Sequence, residues 1–431
     1  MMKVLVISHN PFSDTQNNGK TLEAIFDNYS KDSISQLFFS DLCPDLDFCN
    51  NYFRITDKDV MVNNISLKKK RRYTINFAPK TEISVKQAYV HSNIKRKIQQ
   101  LPFARDLIWG LGNWKYNELF HWIEKNNPDY IFFVAGQYSF SHSIARFLSD
   151  KYHLPLVVYF TDDYFINPIN RNWRDRFEKK RMARFYNKTI RQASLCYAIG
   201  SKMAVVYSQY FGKEFHFIMN MVPLNEKLET KPHKEVIISY FGGLHLDRWK
   251  QIVRLGNAIK KLDVDSEYPV KLYVYSKPLS EEIEMSFKDS NVEYKGFVSS
   301  ECIATELSKS DILLHVESDD VYYKSLTKLS VSTKIPEYIS TGRCVLGFGP
   351  EHVASMELLS ENRIGFVISS SLSDNEISEQ LEKFIRDKKM QRHLSETAYE
   401  FALDNFDPVK IRQKFNNQIT NMLKRWNHVD I

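Results

Sequence analysis

Ser332, Thr333, Lys334 and Glu337 stand together in the stretch Ser332-Thr333-Lys334-Ile335-Pro336-Glu337-Tyr338-Ile339-Ser340-Thr341-Gly342-Arg343-Cys344-Val345-Leu346. Hydroxyls and a cation at the start of a helix suit an anion, because the first N–H groups lack partners and the dipole is positive there. One turn further in, Glu337 has the reach to accept hydrogen bonds from sugar hydroxyls. The same residues also describe an ordinary capped helix with a solvated Glu, although Glu337 follows Thr333 by four positions rather than the three of a capping box.

Three other groups have chemically useful types. Gly242-Gly243 ends an apolar run, and Arg248 and Lys250 follow it; paired glycines let backbone N–H groups approach a phosphate that the cations neutralise, or simply make a turn. Asp162-Asp163 follows the run Leu154 to Phe160, where carboxylates sit well for a ligand cleft or, equally, form a turn. His9 follows Val4-Leu5-Val6-Ile7-Ser8 at the position where ligands bind in doubly wound folds, and it also reads as a structural histidine. Gly19-Lys20-Thr21 looks like the end of a phosphate-binding loop, but that loop needs glycine where Asp14 stands.

These residues must be positioned by alternating strands and helices. Strand patterns fall at Val4–Ser8, Asp129–Gln137 (running into a loop), Leu154–Phe160, Ser194–Ser201, Val236–Gly243, Val270–Tyr275, Val292–Val298, Asp311–Val316, Cys344–Phe348 and Gly365–Ile368. Helical patterns lie between them, and the alternation predicts parallel sheets. Pro336 is tolerated in the first turn of its helix, and Gly342 ends that helix. Arg171 to Arg191 reads as a strongly basic helix whose Trp173, Phe177, Phe185 and Tyr186 supply an apolar face.

The length of 431 residues suits two domains. The expected division is 1–224, a polar linker 225–234, 235–405, and a final helix over 406–431 packing back on the first domain. With 43% hydrophobic and 26% charged residues the composition is globular, not disordered. No apolar run has the length of a membrane span, and Val4–Ser8 is too short for a signal-peptide core. Five cysteines without zinc-site spacing suggest reduced thiols in a cytosolic protein. The net charge of +7 is concentrated: Lys68, Lys69, Lys70, Arg71 and Arg72 form one run. Such a run fits a solvated face, an anionic membrane surface or nucleic acid, and no nucleic-acid motif accompanies it.

The chain resembles the GT-B fold glycosyltransferases, and among them the retaining, nucleotide-sugar-dependent group called glycosyltransferase family 4. The resemblance rests on Tyr240-Phe241-Gly242-Gly243, on Ser308-Lys309-Ser310-Asp311-Ile312-Leu313-Leu314, and on Ser332 to Gly342. It implies two Rossmann-like, doubly wound domains facing a central cleft, with donor in the C-terminal domain and acceptor in the N-terminal one. It further implies that Gly242, Gly243, Arg248 or Lys250, with Ser332, Thr333 and Lys334, meet a diphosphate, and that Glu337 holds ribose hydroxyls. The family's paired glutamates would place the first at position 329, here Leu329; Glu317 and Ser318-Asp319-Asp320 lie earlier in a longer loop and can stand in.

The expected function is sugar transfer from a UDP- or GDP-sugar to a glycan or polyprenyl-linked acceptor in cell-surface polysaccharide biosynthesis. The nucleotide-sugar is a co-substrate, with no cofactor and no metal, and His9, Asp162, Asp163 and Glu317 are the candidate catalytic groups. The expected location is cytoplasmic, peripheral on the inner face of the cell membrane. The rival readings are a sugar-nucleotide epimerase or hydrolase on the same fold, and a non-catalytic glycan- or membrane-binding scaffold.

Overall fold

The computed structural model describes residues 2–13, 17–44, 46–65, 74–75, 102–112, 114–164, 166–167, 169–222, 227–228, 235–262, 269–299 and 302–429. Lys68 to Arg72, and most of the linker expected at 225–234, lie outside these. The chain forms two compact units, Met1–Met219 with Arg412–Ile431, and Asn220–Ile411.

In the N-terminal unit the strands are β1 (Val4–Ser8), β2 (Ile34–Phe38), β3 (Asn51–Arg54), β4 (Thr74–Ile75), β5 (Tyr130–Ala135), β6 (Leu156–Phe160), β7 (Leu195–Ala198) and β8 (His216–Phe217). Their order is β4-β3-β2-β1-β5-β6-β7-β8, and every neighbouring pair is parallel except β3 with β4. The central strands β1, β2 and β6 are buried along their whole length, as a parallel sheet covered on both faces requires.

Four of these strands, β2, β3 and the two-residue β4 and β8, are not announced by apolar patterning. β2 reads Ile-Ser-Gln-Leu-Phe, and its Gln36 is fully buried. The Gln36 amide donates to Ser8 Oγ (2.8 Å), and its carbonyl oxygen accepts the Phe12 N–H (3.0 Å), so a polar core residue fastens the loop after β1. β3 (Asn-Tyr-Phe-Arg) is short and polar at both ends.

The last helix, Pro408–Val429, supplies core to this unit: Phe415 packs against Phe26, Phe132 and Tyr197, and Gln418 accepts from Tyr197 Oη at 2.8 Å. The helix Trp173–Gln192 starts at Asn172, whose side chain accepts the Asp175 N–H. Its apolar face differs from expectation. Met182, Tyr186 and Ile190 are buried, whereas Trp173 and Phe177 are 73% and 49% exposed.

The C-terminal unit has β9 (Val236–Phe241), β10 (Val270–Tyr275), β11 (Val292–Gly296), β12 (Ile312–Val316), β13 (Cys344–Gly349) and β14 (Phe366–Ser369). They form a parallel sheet in the order β11-β10-β9-β12-β13-β14. In both sheets the order reverses once, between β1 and β5 and between β9 and β12. Ligands in doubly wound folds bind beyond the carboxyl ends of the strands at such a reversal. A core of Ile238, Leu272, Ile312, Leu314, Leu346 and Leu381, among others, holds the second sheet against its helices.

Candidate functional site

The carboxyl edge of the second sheet collects most of the candidate residues. Gly242-Gly243 follows β9, Glu317 follows β12, and Ser332 to Glu337 lead into β13. Tyr338 ties these segments together. Its hydroxyl donates to Phe241 O (3.1 Å) and accepts the Phe241 N–H (3.0 Å), so the helix Lys334–Ile339 is anchored to the end of β9. Gly342 follows this helix at φ +74°, the left-handed conformation that glycine takes without a steric cost.

The glycine pair is shaped by its neighbours. The Gly242 N–H is spent on Tyr275 O (3.1 Å), which removes it as a phosphate donor. A Cβ on Gly243 would lie 2.5 Å from His245 Nδ1, so the loop closes tightly over that ring. Tyr240 Oη donates to Gly243 O at 2.8 Å. Leu246 and Asp247 follow at φ 60° and 57°, two successive non-glycine residues in the left-handed region, the kind of local strain that collects at binding sites.

Arg248 opens the helix Arg248–Leu262 rather than lying in the loop, and Lys250 sits in its first turn. Arg248 Nη2 lies 3.2 Å from Glu317 Oε2, and His315 Nε2 lies 3.1 Å from Glu317 Oε1. Glu317 is 2% exposed. Burial alone would raise its pKa, but the Arg248 charge and the His315 hydrogen bond outweigh this and hold the carboxyl at about 2. Glu317 is therefore ionised and committed to two partners, and the chemistry it supports is the orientation of Arg248. His315 and Tyr240 were not among the sequence candidates. The available signal was spacing, since His315 and Glu317 are two apart at a strand end and so point to one side.

Lys250 Nζ pairs with Asp247 (2.7 Å) at the exposed rim. Lys334 Nζ pairs with Glu337 Oε2 (2.8 Å), so these two candidate ligand groups neutralise each other. Ser332 Oγ accepts the Lys334 N–H (3.3 Å), whereas Thr333 makes no side-chain cap. The segment expected as a loop after Glu317 contains the helix Val321–Thr327, capped by Asp320, whose side chain accepts from Tyr322 N and Tyr323 N. Leu329 is 2% exposed and packed in the core.

The remaining candidates lie in the N-terminal unit. Asp163, beyond β6, accepts from Ile166 N and Asn167 N (both 2.9 Å), Asn167 Nδ2 (2.8 Å) and Tyr207 Oη (3.1 Å). It is a buried turn anchor with its lone pairs occupied. Asp162 is only partly buried, with Thr161 and Tyr164 hydroxyls donating to Oδ2 at 3.2 and 3.1 Å. His9 follows β1 and packs on Tyr138, with ring centroids 5.2 Å apart. Burial, then the Arg105 charge, lowers its pKa to about 4, so the imidazole is neutral at pH 7. Among the described residues, no helix is long and apolar enough to cross a membrane.

No protein-family model matches the sequence, and no curated protein matches it either. Solved structures are similar along nearly the whole chain. HepE of Anabaena, solved with UDP and glucose, is 14% identical at a TM-score of 0.62, covering 98% of this chain and 100% of that one. A variant of S. aureus TarM, solved with fondaparinux, alpha-GlcNAc-glycerol and UDP, is 11% identical at 0.60, covering 97% and 99%. The UDP-forming alpha,alpha-trehalose-phosphate synthase of Burkholderia vietnamiensis is 9% identical at 0.62, covering 100% and 99%. At such low identity the likeness is one of architecture, and that architecture is the two-domain, Rossmann-like GT-B fold.

Proposed function

We propose that the protein transfers a sugar from a nucleotide-sugar, a UDP- or GDP-sugar, to a glycan or lipid-linked acceptor. The observation that carries this reading is the carboxyl edge of the second sheet. There a half-buried Arg248 is oriented by the buried Glu317, and Lys334 and Glu337 stand one helix turn apart at the same edge. A nucleoside diphosphate would displace Lys334 from Glu337, taking the ammonium on a phosphate and the carboxylate on the ribose hydroxyls. Arg248, Lys250 and Lys334 would then stabilise the negative charge that builds on the departing diphosphate without a metal ion. UDP is the nucleotide bound in the similar HepE and TarM structures, which supports a uridine donor here.

In this proposal the N-terminal unit binds the acceptor, and Asp162, at the end of β6 and partly accessible, is its candidate catalytic carboxylate. Asp163 and Glu317 act by positioning. The stereochemical course we propose is retention, with the reaction face served by main-chain groups and N-terminal residues, since position 329 supplies no carboxylate. A non-catalytic scaffold is the second reading, favoured by that same buried Leu329.

The proposal includes peripheral attachment to the inner face of an anionic membrane. One exposed face of the helix Trp173–Gln192 carries Trp173, Phe177, Lys180, Arg184, Lys188 and Arg191, spaced three or four apart. The acidic residues of that helix are engaged elsewhere, Asp175 with Arg171 and Glu178 with Arg181. Each cation near an anionic bilayer adds about 1 kcal/mol of attraction.

The test is a metal-free thermal-shift comparison of UDP, GDP, CMP and ADP and their sugars. At a hundred times its dissociation constant, one nucleotide should stabilise the protein by about 2.7 kcal/mol. The shift should shrink in Lys334→Ala and Glu337→Ala. No shift with any nucleotide would sink the transferase reading and leave the scaffold ahead.

A further inference from the structure

Among the described residues, three buried polar side-chain atoms at the carboxyl edge of the first sheet have no hydrogen-bond partner: His9 Nδ1, Ser40 Oγ and Arg105 Nη1. They come from three segments that the fold draws together. The His9 carbonyl accepts both the Phe39 N–H (3.1 Å) and the Ser40 N–H (2.9 Å), so the loop after β1 lies on the end of β2. His9 and Arg105, the latter from the helix Pro102–Gly110, pack on one ring: Tyr138 is 5.2 Å from the imidazole centroid and 4.2 Å from the guanidinium carbon.

Arg105 is 2% exposed and held rigidly. Its Nε donates to Asp57 Oδ1 (2.7 Å), and the same oxygen accepts the Trp109 indole N–H (2.7 Å). One edge of the fork is thus fixed, while the two N–H groups of Nη1 have no acceptor among the described residues. Leaving a buried donor unsatisfied costs about 1–3 kcal/mol, more for a charged group, so such an atom points to a missing acceptor. The loop on the opposite side is equally fixed, because Gln36 binds Ser8 and Asn10 O. His9 and Ser40 are only partly buried as whole residues, although the three orphaned atoms themselves are shielded from solvent.

We propose that Arg105, Ser40 and His9 form a subsite for an oxyanion, a phosphate or carboxylate group carried by the acceptor. A guanidinium N–H pair, a hydroxyl and an imidazole nitrogen outnumber the lone pairs of one sugar hydroxyl, whereas an oxyanion presents several acceptor oxygens at once. Charge-assisted bonds to guanidinium are also the strongest available in a desolvated pocket. The fixed Asp57 holds the fork in place and leaves its other edge for the ligand. This inference rests on the transferase reading for the word acceptor alone; the anion subsite stands on its own geometry.

The test uses the full chain, with UDP present to fill the nucleotide site, titrated calorimetrically with inorganic phosphate, acetate and glucose. At least one of the two anions should bind saturably and glucose should not. Arg105→Lys should weaken that binding about tenfold. Ser40→Ala should weaken it severalfold, and this variant removes a hydroxyl that has no partner to lose, so it should fold as the parent does. Arg248→Gln should leave anion binding intact. Absence of saturable anion binding, equal binding of glucose, or loss in Arg248→Gln but not in Arg105→Lys and Ser40→Ala would each overturn the subsite. UDP binding without anion binding removes the subsite and keeps the transferase reading; the reverse keeps the subsite and removes that reading.

Discussion

Glu317→Gln should destabilise the C-terminal unit at pH 7 while preserving the shape of the side chain. Holding this carboxyl at about 2 instead of its ordinary 4.5 corresponds to roughly 3 kcal/mol of preference for the ionised form in the folded protein. Removing one partner of a buried ion pair outright costs about 3–5 kcal/mol, and Gln keeps an acceptor oxygen for Arg248 and His315, so a loss of about 2–3 kcal/mol is expected. The pH dependence has a definite sign. A carboxyl with a lowered folded pKa contributes stability that is complete above its unfolded value near 4.5 and fades as pH falls towards 2. Parent and variant should therefore converge on acidification. The two units have separate cores and need not unfold together, so the measurement should be local: hydrogen exchange of peptides covering β9 and β12, across a pH series. UDP affinity should fall in parallel, because Arg248 loses the group that aims it. A variant within about 0.5 kcal/mol of the parent at pH 7, or a difference that stays constant down to about pH 3, would refute the account of Glu317.

Two further changes probe other joints of the site. Tyr338→Phe deletes the hydroxyl that bridges both backbone groups of Phe241; denaturant titration should show a loss of about 1–3 kcal/mol, and nucleotide affinity should drop as the helix Lys334–Ile339 loosens. The adjacent carboxylates should separate cleanly. Asp163→Ala, which orphans four donors, should lower stability by about 3 kcal/mol, whereas Asp162→Asn should stay within about 0.5 kcal/mol and reduce sugar transfer. Equal melting of the two variants would remove the distinction drawn between them.

The parallel α/β architecture was legible from the amino-acid sequence, and the reason is local. Strands buried on both faces, such as Val4–Ser8, Leu156–Phe160 and Val236–Phe241, must be apolar throughout whatever their neighbours are. The turn of helix before Gly342 is equally local, since Pro336 and Gly342 restrict their own dihedral angles. β2 escaped this reading because its buried Gln36 is satisfied by Ser8 and Phe12, residues that only the folded sheet brings near. Glu317 looked like a free carboxylate for the same reason. Its partner Arg248 is 69 positions away, and they meet because β12 pairs with β9. Strand order also joins Tyr338 to Phe241 across 97 positions. On the helix Trp173–Gln192, periodicity located a stripe of aromatics but not the side that faces protein, since a repeat of 3.6 residues is the same from either direction. Composition and period thus determined which segments are strands and helices. Strand order decided which distant charges meet, as Arg248 and Glu317 do, because that order depends on contacts between residues far apart in the chain.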